Sequence, residues 1–280
     1  MKRLMMFVLA SFMLTSALSC KLFLPHPNDD EEDNTEHVPI PKDDIKKIVY
    51  YHDLASDVVE TFMNYYIENT ALPACVHEDS LSPWTKRWTY DASCTLPDGH
   101  TYGGETVLIH DPSSQTYTIV LYEEANGYPT PTYIDQKPFV KSSVFTFETQ
   151  SNNSYHADCT MFLPVGNDTL YLHTQFDIRQ TDPGQTADGS DKHWQISHVN
   201  FDYAVYHDFM TSPLAIYEAN ESLEPLEKQY NCPLALSGKM RIYDKDLNTF
   251  DVDYGNGQCD NTVTVSNAAG DTETLTITTP

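Results

Sequence analysis

Residues 169–178 read Thr-Leu-Tyr-Leu-His-Thr-Gln-Phe-Asp-Ile, and apolar and polar side chains alternate along most of this stretch. Successive side chains of a β-strand point to opposite faces of its sheet, so alternation is typical of a strand with one buried face. One face carries Leu170, Leu172, Phe176 and Ile178, and the other carries Tyr171, His173, Gln175 and Asp177. The stretch therefore predicts a half-buried strand, as antiparallel sheets commonly contain.

The same period of two recurs from Trp84 onward, and it changes phase once between residues 192 and 206. Before the change the apolar residues are Trp194 and Ile196, and after it they are Val199, Phe201, Tyr203 and Val205. A slip of one residue predicts a β-bulge near Ser197 and His198.

The C-terminal part of the chain predicts a ladder of hairpins. Apolar alternation at 240–242, 250–254, 263–265 and 275–277 is separated by polar turns at 244–248, 255–257 and 267–271. Residues 213–231 interrupt the pattern, and a short helix or an irregular crossover is expected there.

Residues 43–69 predict the one convincing helix. Its apolar residues recur at helical spacing: Ile45, Ile48, Val49, Val59, Phe62, Tyr66 and Ile67. Asp43 or Asp44 can cap the N-terminal end, and Pro73 follows the C-terminal end. Such a stripe usually packs on a sheet, and the alternative is a docking face for a partner helix.

Together these patterns predict a mainly β fold. We expect an antiparallel sandwich or open barrel of about a dozen strands with one N-terminal amphipathic helix. Residues 43–73 would hold the helix, packed on the β-domain, and residues 74–280 would form that antiparallel β-domain.

The N-terminus predicts an export signal with a lipid anchor. Lys2 and Arg3 precede an uncharged run at 5–18, which is too short to span a bilayer as a helix. The following Ala-Leu-Ser-Cys at 17–20 resembles the lipobox of bacterial lipoproteins. That resemblance implies a signal peptide at 1–19 and lipidation of Cys20, and the alternative is an ordinary secretory signal.

Residues 20–42 predict an acidic, disordered, lipid-anchored tether. The segment contains four prolines and the run Asn-Asp-Asp-Glu-Glu-Asp-Asn at 28–34. An acidic run after the lipidated cysteine resembles the export signal of Bacteroides-type surface lipoproteins. The resemblance implies a location in the outer membrane with the domain exposed at the cell surface.

The net charge of the chain limits the kinds of partner that it can bind. With 41 acidic and 16 basic residues the net charge is −25, which argues against nucleic acid as a binding partner. The expected partners are outer-membrane lipid through Cys20 and, beyond it, a glycan or another envelope protein.

Five cysteines remain beside Cys20, and the short-range disulfide pairs would be Cys75 with Cys94 and Cys232 with Cys259. The alternative is free, buried thiols.

A second resemblance lies near the C-terminus. Residues 252–261 read Val-Asp-Tyr-Gly-Asn-Gly-Gln-Cys-Asp-Asn and, with the Gly-Lys-Met at 238–240, look like the closing strands of uncharacterised Bacteroides-type lipoproteins. The resemblance implies location and fold, and it implies no chemistry.

We find no catalytic signature, so no enzyme activity, metal or cofactor is predicted. Asp244, Asp246 and Asn248 resemble the start of a calcium loop, but Thr249 and Gly255 stand where that loop needs Gly and Glu. A hairpin turn explains these residues better. His193 and His198 lie five apart across the expected bulge, which does not favour a shared metal.

Two features predict that the surface binds a glycan or carries one. Aromatic residues near loops and strand ends form a possible glycan-binding face: Trp84, Trp88, Tyr90, Tyr102, Tyr122, Tyr128 and Tyr133. Asp-Ser-Leu at 79–81 resembles the O-glycosylation site of Bacteroides-type exported proteins, which would place a glycan on Ser80.

The expected function is therefore a lipid-anchored, non-enzymatic binding or assembly module of the cell envelope. The alternative is a pilin-like structural subunit with residues 272–278 as its exchangeable strand. A third reading is a glycan-binding or glycan-hydrolysing surface protein.

Overall fold

The computed structural model describes residues 38–68, 70–123, 130–151, 153–186, 191–207 and 212–279. In these residues the fold is mainly β, with antiparallel strands and a single helix near the N-terminus. The predicted fold class, an antiparallel sandwich or open barrel with one N-terminal helix, is confirmed. The predicted signal peptide at 1–19, the predicted lipidation site Cys20 and the acidic run at 28–34 lie outside the described residues.

Helix α1 (Lys42–Phe62) continues as a π-helical turn (Met63–Ile67). Its N-cap is Pro41, which forms no side-chain capping bond, so the predicted cap at Asp43 or Asp44 is wrong. Both aspartates lie inside the first turn, where their charge still favours the positive end of the helix dipole.

Seventeen strands follow the helix in the described residues. They are β1 (Val76–Ser82), β2 (Thr85–Tyr90), β3 (Cys94–Thr95), β4 (Thr101–Gly103), β5 (Glu105–Asp111), β6 (Thr116–Tyr122), β7 (Tyr133–Ile134), β8 (Lys137–Pro138), β9 (Ser143–Ser151), β10 (Ser154–Val165), β11 (Asp168–Asp182), β12 (His193–Tyr206), β13 (Ala215–Gln229), β14 (Ser237–Asp244), β15 (Thr249–Asn256), β16 (Thr262–Asn267) and β17 (Thr272–Thr276).

Thirteen strands form one antiparallel meander in the order β1-β2-β5-β6-β9-β10-β11-β12-β13-β14-β15-β16-β17. The short strands β3, β4, β7 and β8 form a second sheet. Among the described residues no ladder joins β1 to β17, so the large sheet is open and has these two strands as its edges.

The large sheet wraps around helix α1. Phe62 stacks on Trp88 of β2 with ring centroids 4.8 Å apart. His52 packs between Phe176 of β11 and Phe201 of β12. Because one helix meets strands so far apart in the sheet order, it occupies the interior that the curved sheet encloses.

In this position helix α1 is covered on its polar side as well as on its apolar side. The polar residues of α1 from His52 onward are as buried as the apolar ones: His52, Asp53, Ser56, Asp57, Glu60 and Thr61. The sheet therefore covers both faces of the helix, and the buried polar face needs partners inside the protein.

The strand predictions hold with one exception. The bulge is confirmed: the β11–β12 register shifts between Gln175 and Asp177, and His198 has a positive φ of 52°. The C-terminal hairpin ladder is also confirmed as β14 to β17. The expectation of a helix or crossover at 213–231 is wrong, because β13 fills most of it.

Strand β13 escaped prediction because its pairing with β14 is irregular, with three register shifts. At Gly238 of β14 the two strands approach so closely that a Cβ would lie 2.3 Å from the carbonyl oxygen of Pro225. Such irregularity breaks the alternation by which a strand is recognised in a sequence.

Candidate functional site

The polar face of α1 is held by Lys228 of β13. The Nζ of Lys228 lies 3.0 Å from Asp53 Oδ1 and 2.9 Å from Asp57 Oδ1, and it donates a hydrogen bond to Ser56 Oγ at 3.2 Å. Burial alone would lower the pKa of Lys228, but the two carboxylates raise it above its ordinary value. The lysine is therefore charged, and it balances part of the acidic charge of the helix.

A second set of contacts joins α1 to the small sheet through His100. Its Nδ1 lies 2.7 Å from Asp135 Oδ2, and its Nε2 lies 3.3 Å from Asp57 Oδ2. Burial alone would lower the pKa of His100, but hydrogen bonds to Asp135 and Asp57 raise it to about 10. His100 is therefore an imidazolium at neutral pH.

Asp98 continues this arrangement one turn further along the helix. Its Oδ2 accepts hydrogen bonds from Thr61 and Tyr102, both at 2.7 Å. Burial raises the pKa of Asp98 to about 6. Glu60 lies nearby, fully buried, and burial raises its pKa well above the ordinary value. We name Asp53, Asp57, Glu60, Asp98, His100, Asp135 and Lys228 the interior ionic network.

The interior ionic network stabilises helix α1 in its buried position. Asp53, Asp57 and Lys228 are almost completely buried, so a substrate would have to open the sheet to reach them. The carboxylates and the lysine instead compensate one another's charges across α1 and β13. The sequence carried one signal for it, since Asp53, Asp57 and Glu60 stand at helical spacing on one face of α1.

The structure joins Cys75 to Cys94 and Cys232 to Cys259, the two pairs named from the sequence. The first bond ties the residue before β1 to β3 of the small sheet, and the second ties the ends of β13 and β15. Loops of 19 and 27 residues correspond to about 3–4 kcal/mol of stabilisation each in the chain-entropy description. Cys159 is a free, buried thiol, and burial raises its pKa.

The structure also places the predicted glycosylation site at Ser80 and the predicted hairpin turn at 244–248. Ser80 is exposed on the edge strand β1. The Oδ1 of Asp244 accepts hydrogen bonds from the backbone N–H groups of Asp246 and Asn248, each at 2.9 Å, which is the geometry of a hairpin turn. In the described part of the chain no group of three or more His, Cys, Asp or Glu side chains is placed so that it could hold a metal ion.

The predicted glycan-binding aromatics do not form one face. Trp88 and Tyr102 are fully buried, Tyr90 and Tyr122 are partly buried, and Tyr128 lies outside the described residues. Trp84 and Tyr133 are exposed, on the large and the small sheet respectively. The grouping of Trp88, Tyr90 and Tyr102 with a surface site is therefore wrong, because these side chains pack in or against the core.

Trp84 ends a row of rings that runs from the core to the surface. Phe147 of β9 stacks on Tyr117 of β6 at 5.2 Å, and Tyr117 stacks on His110 of β5 at 4.4 Å with nearly parallel planes. The edge of His110 then meets Trp84 at 5.8 Å. We name Phe147, Tyr117, His110 and Trp84 the aromatic row. Its inner members were missed because they lie on three different strands.

The backbone fixes Trp84 at the end of the aromatic row. Its N–H donates to Ser82 Oγ at 3.2 Å, and its carbonyl oxygen accepts from the N–H of His110 at 2.8 Å. The Trp84 residue is nonetheless 51% exposed. The backbone of Trp84 is therefore positioned, and its indole ring is half exposed beside His110.

Comparison with models of protein families, with curated proteins and with solved structures gives no match for this chain. No helix in the described ranges is both long and apolar enough to cross a bilayer.

Replacing Lys228 with Met should lower the free energy of unfolding by about 3–5 kcal/mol, because Asp53 and Asp57 would lose their buried counter-charge. Urea unfolding followed by circular dichroism measures the change. The matched control is Lys239→Met, which removes a lysine whose ion pairs, to Glu224 on β13 and Asp253 on β15, are exposed, and it should change stability little. Equal stability of the two variants would contradict the assigned role of Lys228.

The raised pKa of His100 predicts a pH dependence. The folded chain binds this proton more tightly than the unfolded chain does. The stabilisation that His100 contributes is therefore fully present below about pH 6.5, and it is lost as the pH rises towards 10. Urea unfolding at several pH values above 6.5 should show the fall, and His100→Gln should flatten it. His77→Gln removes an exposed histidine paired with Asp91 and should leave the slope intact. A slope that survives in His100→Gln would refute the assignment.

Proposed function

We propose that this chain is a lipid-anchored lipoprotein of the outer membrane that presents a non-enzymatic, glycan-binding module at the cell surface. The observation that carries the binding role is Trp84, a half-exposed indole fixed at the end of the aromatic row. The resemblance of residues 17–20 to a lipobox and the acidic run at 28–34 support the anchor and the location.

A sugar suits Trp84 better than a small apolar ligand does. Trp84 is half exposed, so a ligand that reaches it meets an open surface, where a flat ring offers its face. The C–H face of a pyranose removes apolar area from water when it stacks on an indole, and its hydroxyl groups stay hydrated at the edge. The nearby polar groups of the β5–β6 turn, Asp111 and Ser113, can accept or donate hydrogen bonds to those hydroxyls.

The hydrogen bonds of the Trp84 N–H and carbonyl oxygen support a binding role, because they order the backbone at this position. A segment whose backbone is already ordered loses little conformational entropy when a ligand arrives. The acidic composition further favours neutral glycans, since sulfated or uronic acid polymers would be repelled by a net charge of −25.

A pilin-like subunit is the second candidate, and one observation favours it. β17 is an edge strand of the large sheet, and Leu275 and the following Ile277 are buried against the core. A strand in this position is the kind that can be exchanged between subunits. We rank it second because β17 already pairs with β16 over five residue pairs.

The anchor and the location predict the result of protease treatment of intact cells. Peptides from residues 38–280 should be released and identified by mass spectrometry, and a Cys20→Ser variant should lose both lipid labelling and cell association. A periplasmic marker protein must stay intact in the same sample. Protection of the domain in cells whose outer membrane is sealed would contradict surface exposure, even where Cys20 is lipidated.

The binding role predicts the behaviour of a Trp84→Ala variant. The full-length lipoprotein in detergent should bind at least one of dextran, mannan, laminarin and chitin oligosaccharides, and Trp84→Ala should weaken that binding at least tenfold, as loss of an aromatic hot spot does. Tyr133→Ala removes an exposed ring outside the aromatic row and should bind normally. Absence of binding to all four glycans, or equal loss in both variants, would contradict the proposal.

A further inference from the structure

The carboxyl group of Glu60 on helix α1 differs from the rest of the interior ionic network in its surroundings. The residue is 0% exposed, and in the part of the chain that the structure describes neither Oε1 nor Oε2 has a hydrogen-bond partner. An ionised carboxylate in this position would lose its hydration and gain no donor in return, so burial favours the neutral acid. The charge state of Glu60 therefore depends on the charges around it.

Lys228 supplies positive charge to this region, but its donors are directed at other residues. Its Nζ lies 3.0 Å from Asp53 Oδ1 and 2.9 Å from Asp57 Oδ1, and it donates a hydrogen bond to Ser56 Oγ at 3.2 Å. An ammonium group has three N–H donors, and these three contacts account for them. Glu60 is therefore left without a donor from the lysine.

The charges that face Glu60 are mostly negative. The titratable groups that act on it come from its own helix and from the elements packed against it: Asp53 and Asp57 on α1, Asp98 between β3 and β4, Lys228 on β13, and Tyr230 directly after β13. Lys228 is the single cation in this set, and two carboxylates already share it. Ionisation of Glu60 would therefore add a negative charge where acids already outnumber cations.

From this geometry we propose that Glu60 takes up one proton from solvent when the sheet closes over α1, and that the folded chain keeps it as a neutral carboxylic acid at neutral pH. The proton forms an O–H bond on one carboxylate oxygen, and the negative charge disappears with it. Burial raises the pKa of Glu60 well above its ordinary value, and the attraction of Lys228 opposes this only in part. In the unfolded chain the same side chain is hydrated, and it is ionised above about pH 4.3.

The proton on Glu60 makes closure of the interior dependent on pH. The folded chain binds this proton more tightly than the unfolded chain does. The stabilisation is therefore fully present below about pH 4.3, and it is lost as the pH rises through the pKa of the folded state. His52 acts in the opposite direction, because burial lowers its pKa and closure is then favoured above about pH 6.5. Glu60 thus favours the closed fold in mildly acidic surroundings, whereas ion-paired carboxylates favour it at higher pH.

The Glu60→Gln variant tests the proposal, since its amide matches a neutral carboxylic acid in shape and does not ionise. Urea unfolding of the full-length chain, followed by circular dichroism between pH 5 and 7.5, gives an unfolding constant for each chain. The constant of the unmodified chain should rise at least tenfold relative to that of Glu60→Gln over this range, since one full proton corresponds to about tenfold per pH unit. His52 and His100 are present in both chains, so their contributions cancel in the ratio.

The matched control is Glu224→Gln, which removes a carboxylate that is 58% exposed and paired with Lys239. The ratio of its unfolding constant to that of the unmodified chain should stay constant over the same pH range. A constant ratio for Glu60→Gln, or an equal change in both variants, would overturn the proposal. Failure of Glu60→Gln to fold at pH 5 would also overturn it, because the interior would then require an ionised carboxylate.

Infrared spectroscopy detects the proton without relying on a measurement of stability. A neutral carboxylic acid has a carbonyl stretching band that a carboxylate lacks, and the folded, unmodified chain should show one such band at pH 7.5. Burial raises the pKa of Asp98 only to about 6, so Asp98→Asn should keep the band whereas Glu60→Gln should lose it. Any ester band of the lipid anchor is common to all variants and cancels in the difference spectra. Identical bands in the unmodified chain and in Glu60→Gln would overturn the proposal.

Discussion

The buried contact of Lys228 with Asp53 and Asp57 is the constraint on which the rest of the structure depends. A helix with acids on one face and apolar residues on the other would ordinarily lie on a sheet with its acids in water. Here the sheet closes over both faces, and this is tolerable only because β13 brings a cation to the acids. The alternative, ionised carboxylates without a partner, would oppose closure of the sheet.

Local periodicity predicted much of the fold. The alternation in β11, the helical spacing in α1 and the hairpins from β14 to β17 are signals within a few residues of one another, so they can be read directly. The burial of the polar helix face depends on a lysine 175 residues away from Asp53, and no local pattern contains that information. Strand β13 was missed for a related reason, because bulges against β14 break its alternation.

The candidate sites, too, could not be predicted from local sequence patterns. Trp84 and Trp88 are four residues apart, yet Trp88 is buried against Phe62 whereas Trp84 stands in a hairpin turn at the surface. The aromatic row combines side chains from three strands, so only the sheet register reveals it. The interior ionic network is buried in the core, whereas Trp84 is half exposed at the surface.

The wrapping of the sheet around α1 also shapes how the chain acquires its structure. The helix comes first in the chain, but the lysine that neutralises its acids and the strands that cover it come much later. Contacts of such long sequence separation give a high contact order, which slows folding. A newly made chain must therefore carry an uncovered helix and unpaired strand edges until β13 is in place, and protection from aggregation is needed throughout that interval.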